Sequence, residues 1–181
     1  MELFEQLTRA ASELSERDFV QQHNRLYLYG RLPESSALMG FGTFVTGPTF
    51  SDLPSRKSAH RSVTPFVESV AKSGRNDWKR RISVGRSSNN DIIFRHESVS
   101  KLHAYFYVRV SRQKLRKVEE LVLVDANSAN GTLRNGLTVR QEPERAKALS
   151  IGDRLAFGEV DCEYCDAATV YRYLKRGVSD F

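Results

Sequence analysis

The sequence predicts an all-β fold, a two-sheet antiparallel sandwich with helical additions at its N- and C-terminal ends. Three observations lead there. From Thr64 onward, short strand-like segments (residues 65–70, 82–84, 91–94, 121–124 and 137–139, with a further turn and strand at 151–158) are separated by turn-forming polar residues. Many short strands at such spacing belong to a sandwich rather than to a helical or α/β fold. Second, Ala104, Phe106, Val108 and Val110 alternate with Tyr105, Tyr107 and Arg109, the period of two of a half-buried strand. Third, Asn135-Gly136 sits between two apolar runs, and this dipeptide supplies the two positive-φ positions of a type I′ hairpin.

Taken in order, residues 2–17 read as one amphipathic helix. Leu3, Leu7, Ala10, Ala11 and Leu14 share a face, with Glu5, Arg9, Glu13 and Glu16 mostly elsewhere. It either covers the domain or offers a face to a partner. Residues 26–29 form a short strand, ended by Gly30 and Pro33. Residues 41–50 are apolar but interrupted by Gly42, Gly47 and Pro48, an irregular strand at best. Residues 51–62 lack an apolar period, are rich in serine and cations, and read as a linker. Residues 72–77 are a polar turn, and the unbroken apolar run 121–124 predicts a strand covered on both faces. Asp166 is placed to cap a closing helix that carries Ala167, Tyr171 and Leu174 on one side. Lys175 and Arg176 meet its negative end, and Gly177 stops it. The expected organisation is an N-terminal extension over residues 1–61, the sandwich over 62–165, and a C-terminal helix over 166–181.

Composition narrows the function. Forty per cent apolar residues in a 181-residue chain suffice for a core, and no apolar run reaches the roughly 18 residues of a membrane span. The first residues carry Glu2, Glu5, Glu13 and Glu16, unlike a secretory signal, so a cytoplasmic location is expected. Cys162 and Cys165 form no disulfide framework. They could supply half a zinc site, but the four histidines are scattered and a second ligand pair is missing, so neither metal nor cofactor is expected. The net charge of +6 brings nucleic acid into consideration. The cations nevertheless fall into short groups, at 79–81, 112–117 and 175–176, with acidic residues interspersed, which suits a solvated surface better than a nucleic-acid stripe.

Two segments carry the chemistry. One runs from Val84 to Ala104 and contains Gly85-Arg86, Asn90-Asp91-Ile92 and Val99-Ser100-x-x-His103-Ala104. The other is Asp125-x-x-Ser128-x-Asn130-Gly131-Thr132, followed by Asn135-Gly136, Gly152-Asp153 and Phe157-Gly158. Small polar residues and cations between strand-like runs suit donors aimed at an anion. In this order the set resembles a forkhead-associated (FHA) domain over roughly residues 62–165. The resemblance implies a sandwich of about eleven strands whose loops at one end bind a phosphothreonine peptide. It implies that Arg86 and Ser100 hold the phosphate, that Lys101 adds a further contact, and that Asn130 bonds the peptide main chain. Gly85, His103, Gly131, Thr132 and Asn135 would brace the loops. Ala129 departs from the members with threonine there and removes one possible hydroxyl donor.

These residue types suit the task. Phosphothreonine carries close to two negative charges and three acceptor oxygens. Arginine presents a planar fork that keeps its proton, and asparagine can both donate to and accept from a peptide backbone. A rival set, Ser100, His103 and Asp125 as a hydrolytic triad, lacks the Gly-x-Ser-x-Gly elbow, so no enzymatic activity is expected. The expected role is a phosphothreonine-binding adaptor in a Ser/Thr kinase pathway, with a phosphate-independent scaffold that uses the sandwich and the N-terminal helix as the alternative. Thr43, Thr46, Thr49 and Thr64-Pro65 allow a further idea, that the chain's own linker is phosphorylated and bound.

Overall fold

The computed structural model describes residues 2–34, 63–113 and 116–177. In chain order the elements are α1 (Glu2–Glu13), α2 (Glu16–Gln22), β1 (Leu26–Pro33), β2 (Val63–Ser69), β3 (Arg81–Gly85), β4 (Ile92–Ile93), β5 (Ala104–Gln113), β6 (Arg116–Asp125), β7 (Thr132–Arg134), β8 (Leu137–Thr138), a 3-10 turn (Pro143–Arg145), β9 (Arg154–Phe157), β10 (Val160–Asp166) and α3 (Ala167–Arg176). Six strands form one sheet in the order β2-β1-β10-β9-β7-β8, and four form the other in the order β4-β3-β5-β6. Leu28, Phe66, Val84, Phe94, Phe106, Leu123 and Phe157 fill the space between them. The sandwich fold is therefore as expected, with helices at both ends.

Pairing departs from the expectation of purely antiparallel sheets at one place. β3 and β4 run parallel, with Val84 opposite Ile92. The chain leaves β3 at Gly85, loops through 86–90, and is drawn back alongside its own strand by Ser83, whose hydroxyl accepts from the Asp91 N–H at 3.0 Å. A short-range bond of this kind leaves no periodic trace in sequence. Along β5 the predicted faces hold where Ala104 and Phe106 enter the inter-sheet core, but the strand is not half-buried: Tyr105 on the other face is buried as well, and Val110 is 42% exposed. β6 is covered on both sides. Leu123 enters the inter-sheet core, while Val122 and Val124 pack with Tyr105 and Ala146 on the outer face.

β1 extends beyond the predicted 26–29, through Gly30 to Pro33, and pairs with β10 on one side and β2 on the other. Gly30 does not end it. A side chain there would bring its Cβ to 2.6 Å from the Cβ of Cys162 and against the carbonyl of Asp161, so glycine is required by the close approach of β10. The six-stranded sheet thus takes an inner strand from the segment that was expected to precede the sandwich. Leu28 faces the inter-sheet core, whereas Tyr27 and Tyr29 lie on the outer face under the helices.

The single helix expected over 2–17 is two helices. Ser15 breaks it: its hydroxyl accepts from the Asp18 N–H at 3.2 Å and donates to the Asp18 carboxylate at 2.7 Å, closing an N-cap for α2. Apolar faces of α1, α2 and α3 pack on β1, β2 and β10 through Leu7, Ala11, Phe19, Tyr27, Val67 and Val170. Of the two readings of the first helix, covering the domain is the one observed. The Tyr171 hydroxyl donates to the Leu14 carbonyl at 3.1 Å, which ties α3 to the start of the chain. Asp166 caps α3 through the Thr169 N–H at 2.8 Å, and Gly177 ends it at φ 82°. Cys162 and Cys165 are free and buried. Cys162 faces the inter-sheet core and Cys165 the helical layer, so they share no ligand site, and burial pushes both thiols up. The expected irregular strand at 41–50 and linker at 51–62 lie outside the described residues.

Phe19 is fully buried between α3 and β1, with its ring 5.3 Å from that of Tyr171. Phe19→Ala is expected to destabilise the whole protein by about 3–5 kcal/mol in urea unfolding. A loss below about 1 kcal/mol would show that the helices are an accessory rather than part of the cooperative unit.

Candidate functional site

Three loops meet at one end of the sandwich: 86–91 after β3, 94–103 before β5, and 126–131 after β6. Backbone bonds join the first two, with Arg86 N–H donating to the Ser100 carbonyl at 2.9 Å and Ser87 N–H to the Lys101 carbonyl at 3.2 Å. The Asn90 amide reinforces the join, donating to the carbonyls of Ser87 at 2.9 Å and Lys101 at 2.7 Å. The loops press so closely that a Cβ at Gly85 would lie 2.8 Å from the Asn90 Nδ2 and against the Lys101 carbonyl. Only glycine fits there.

The third loop is tied to the second by side chains. Asn130 donates from Nδ2 to the Ser98 carbonyl at 2.8 Å, and Ala129 N–H donates to Ser100 Oγ at 3.0 Å. The residue that lacks a hydroxyl at 129 therefore still contributes through its backbone. By accepting that bond, the Ser100 hydroxyl keeps its own proton for a partner outside. His103 completes the frame. Its Nδ1 accepts from the Ser100 N–H at 3.0 Å, and its Nε2 lies 3.0 Å from the Gly131 carbonyl. An acceptor at Nδ1 and a carbonyl at Nε2 fix the neutral tautomer with the proton on Nε2. The ring is fully buried. Burial lowers its pKa below the usual 6.5, against the opposing pull of the Gly131 carbonyl and Asp125.

Asp125 braces the third loop from inside. Its carboxylate accepts from the Ser128 hydroxyl at 2.7 Å, the Ser128 N–H at 3.0 Å and the Thr132 hydroxyl at 2.6 Å. Burial raises its pKa, but these bonds outweigh that and hold it below the usual carboxylate range. The geometry rules out Ser100, His103 and Asp125 as a triad. His103 bonds the Ser100 backbone rather than its hydroxyl, and the Asp125 carboxylate is bonded to Ser128 and Thr132.

Of the residues singled out in the sequence, Gly85, Arg86, Ser100, Lys101, His103, Asn130, Gly131 and Thr132 gather at this end. Arg86 is exposed and anchored by one bond, Nε to the Val99 carbonyl at 3.1 Å. Its terminal nitrogens have no protein partner among the described residues, and the Lys101 ammonium, also exposed, makes no ion pair there. Asn130 keeps its amide oxygen and one N–H uncommitted. Asn135 is elsewhere, in the predicted β7–β8 turn, with φ 51° followed by 77° at Gly136. There it bridges the Asp153 carboxylate and the Arg154 N–H, at 2.7 and 2.8 Å.

Several residues that build the site had no role in the sequence reading beyond their place in a motif. Ser98 is buried, bonded to His96 Nδ1 at 2.8 Å and accepting from the Glu159 N–H at 2.9 Å. Asp91 collects the Lys72 ammonium at 2.8 Å, the Ser73 and Ser83 N–H groups at 2.9 Å each, and the Asn76 amide at 3.1 Å. Its burial opposes ionisation, yet these donors hold the carboxyl far below its usual range. The Asn-Asp pair before β4 is the signal that could have found both the Asn90 strut and this clamp.

Residues 82–158 match the family model of the FHA domain. Among solved structures, the chain is similar to the FHA domain of an Arabidopsis thaliana protein, at 18% identity and TM-score 0.46, covering 79% of this chain and 86% of that one. It is similar to the yeast Dun1 FHA domain, solved with a doubly phosphorylated peptide derived from Rad53, at 18% identity and TM-score 0.43 over 80% of this chain and 74% of that one. It is similar also to the FHA domain of the Chlamydia trachomatis CT664 protein, at 17% identity and TM-score 0.41 over 78% and 97%. No curated protein matches the chain. The chain carries an FHA domain.

The His103 arrangement predicts a pH dependence. The folded state holds the ring with its pKa below the unfolded value of 6.5, so the unfolded chain binds the proton more readily. Stability is therefore fully present above 6.5 and falls as pH drops through the window just below it. His103→Gln is expected to shrink the difference in urea midpoint between about pH 5.5 and 7.5. In the parent protein, imidazole nitrogen NMR at neutral pH is expected to show the Nε2-protonated neutral ring. An imidazolium signal would contradict the assignment.

Proposed function

We propose that this protein binds phosphothreonine-containing segments of partner proteins, with the phosphate seated on Arg86, Ser100 and Lys101 and the peptide main chain read by Asn130. The observation that carries the reading is the state of Arg86. It is held by Nε alone and keeps its paired terminal nitrogens clear, next to a serine whose hydroxyl is oriented by an Ala129 N–H. A two-pronged cation and a pre-aimed neutral donor on adjacent, cross-braced loops suit a dianionic phosphate. Gly85, His103, Gly131 and Thr132 set the loop geometry without touching ligand, and Asn135 sets the hairpin. Each charged hydrogen bond contributes about 1.5–3 kcal/mol. Two or three of them, after the cost of ordering the peptide, correspond to an affinity near micromolar, about −8 kcal/mol.

On this reading the protein is an adaptor that recruits a partner after a Ser/Thr kinase has marked it. Among the described residues no helix is long and apolar enough to cross a membrane. A cytoplasmic site of action, where such kinases and reduced thiols are found, is part of the proposal. Domain limits follow the strands: the FHA match at 82–158 is completed by β1, β2 and β10, with the helical layer packed on it.

Arg86→Ala is expected to weaken binding of a phosphothreonine peptide by roughly 2–4 kcal/mol in calorimetry, with unfolding unchanged. The same peptide without phosphate is expected to bind neither protein. Equal affinity of both proteins for the phosphopeptide would remove Arg86 as the anchor.

A further inference from the structure

One side of the sandwich is open. There β8, the last strand of the six-stranded sheet, faces the segment 145–148, which lies against β6, the last strand of the other sheet. A cavity of about 490 Å³ lies between them. Leu137, Val139 and Ala146 supply apolar lining, and Leu137 is 75% exposed. Arg134, Arg140, Arg145 and Lys147 ring it.

Only one of these cations is committed. Arg134 pairs with Asp153 at 2.6 Å and donates to the carbonyls of Lys147 and Ala148. Arg140, Arg145 and Lys147 are exposed and make no ion pair among the described residues. The neighbouring carboxylates do not pair with them: neither Glu142 nor Glu144 makes an ion pair among the described residues. The groove ends beside the 126–131 loop, where the Arg140 backbone carbonyl accepts from the Asp125 N–H at 3.1 Å and the Gln141 amide donates to Asn127 Oδ1 at 3.3 Å.

We infer that this groove docks an acidic, extended segment of a partner protein, with carboxylates on Arg140, Arg145 and Lys147 and an apolar side chain against Leu137 and Val139. Three unneutralised cations beside an apolar lining are the complement of a chain that mixes acidic and aliphatic residues. No aromatic ring lines the groove, so it lacks the stacking platform that single-stranded nucleic acid requires. The inference stands apart from the Arg86 loops, because it involves neither those residues nor a phosphate.

The test is amide NMR of the full chain titrated with an unphosphorylated peptide of alternating glutamate, leucine and serine. A lysine-for-glutamate version and oligothymidine serve as competing ligands. The acidic peptide is expected to shift the amides of 137–140 and 145–147, more strongly at low salt. Arg140→Glu combined with Lys147→Glu is expected to weaken it by about fivefold or more, with a spectrum that reports an intact fold, while Arg86→Ala leaves it unchanged. The inference is overturned if those amides do not move, if the lysine peptide moves them as well, or if oligothymidine moves them in preference. Shifts confined to the 86–103 loops and abolished by Arg86→Ala would also overturn it. A failed phosphothreonine assay with these shifts present would leave the groove standing.

Discussion

The Ser100 N–H, His103 ring and Gly131 carbonyl form the link on which the three-loop end of the sandwich depends. A buried imidazole with one nitrogen accepting and the other donating joins the two loops that flank the paired ends of β5 and β6. Such a bridge works only while the ring is neutral, because protonation at Nδ1 would put two hydrogens against each other at Ser100. Burial enforces neutrality, since charging the ring in that position costs solvation that its two partners do not return. The same enclosure that makes His103 a poor base or metal ligand makes it a good strut.

Around this strut, polar groups are satisfied in layers. Asp125 holds the third loop from within, Asn90 joins the first two, and Asp91 fastens the 72–76 turn onto β3 and β4. Each makes several hydrogen bonds at once, which is how a loop-built site becomes rigid without regular structure. What remains uncommitted is the outward chemistry, the Arg86 fork, the Ser100 proton, the Lys101 ammonium and half of the Asn130 amide. Rigid donors that face solvent lose little on binding, so more of their interaction energy appears as affinity.

How far this could be read beforehand follows from range. The Asn135-Gly136 turn and the Asp166 cap are local, and the structure keeps them, whereas the β5 alternation holds only at Ala104 and Phe106 because a second cluster buries Tyr105 on the other face. The burial of β1 on both faces and the need for Gly30 arise from residues distant in sequence, whereas the parallel β3–β4 pair rests on a short-range Ser83–Asp91 bond that leaves no periodic trace. Gly30 looked like a terminator because its partner, Cys162 on β10, is far along the chain. Ser15 was missed for a different reason: the apolar period runs through it, and only the Ser-x-x-Asp spacing marks the break. At the candidate site, residue types and order pointed to the end of the sandwich where the three loops meet. They did not show that Ala129 acts through its N–H, or that Ser98 and Asn90 carry the scaffolding.

The proposed function rests on Arg86 and Ser100 jointly seating a phosphate. A crystal structure of the protein with a phosphothreonine peptide tests it most directly. Phosphate oxygens are expected within hydrogen-bonding distance of the Arg86 terminal nitrogens and the Ser100 hydroxyl, with the Asn130 amide on the peptide backbone. A phosphate bound elsewhere, with the Arg86 fork still facing solvent, would contradict it.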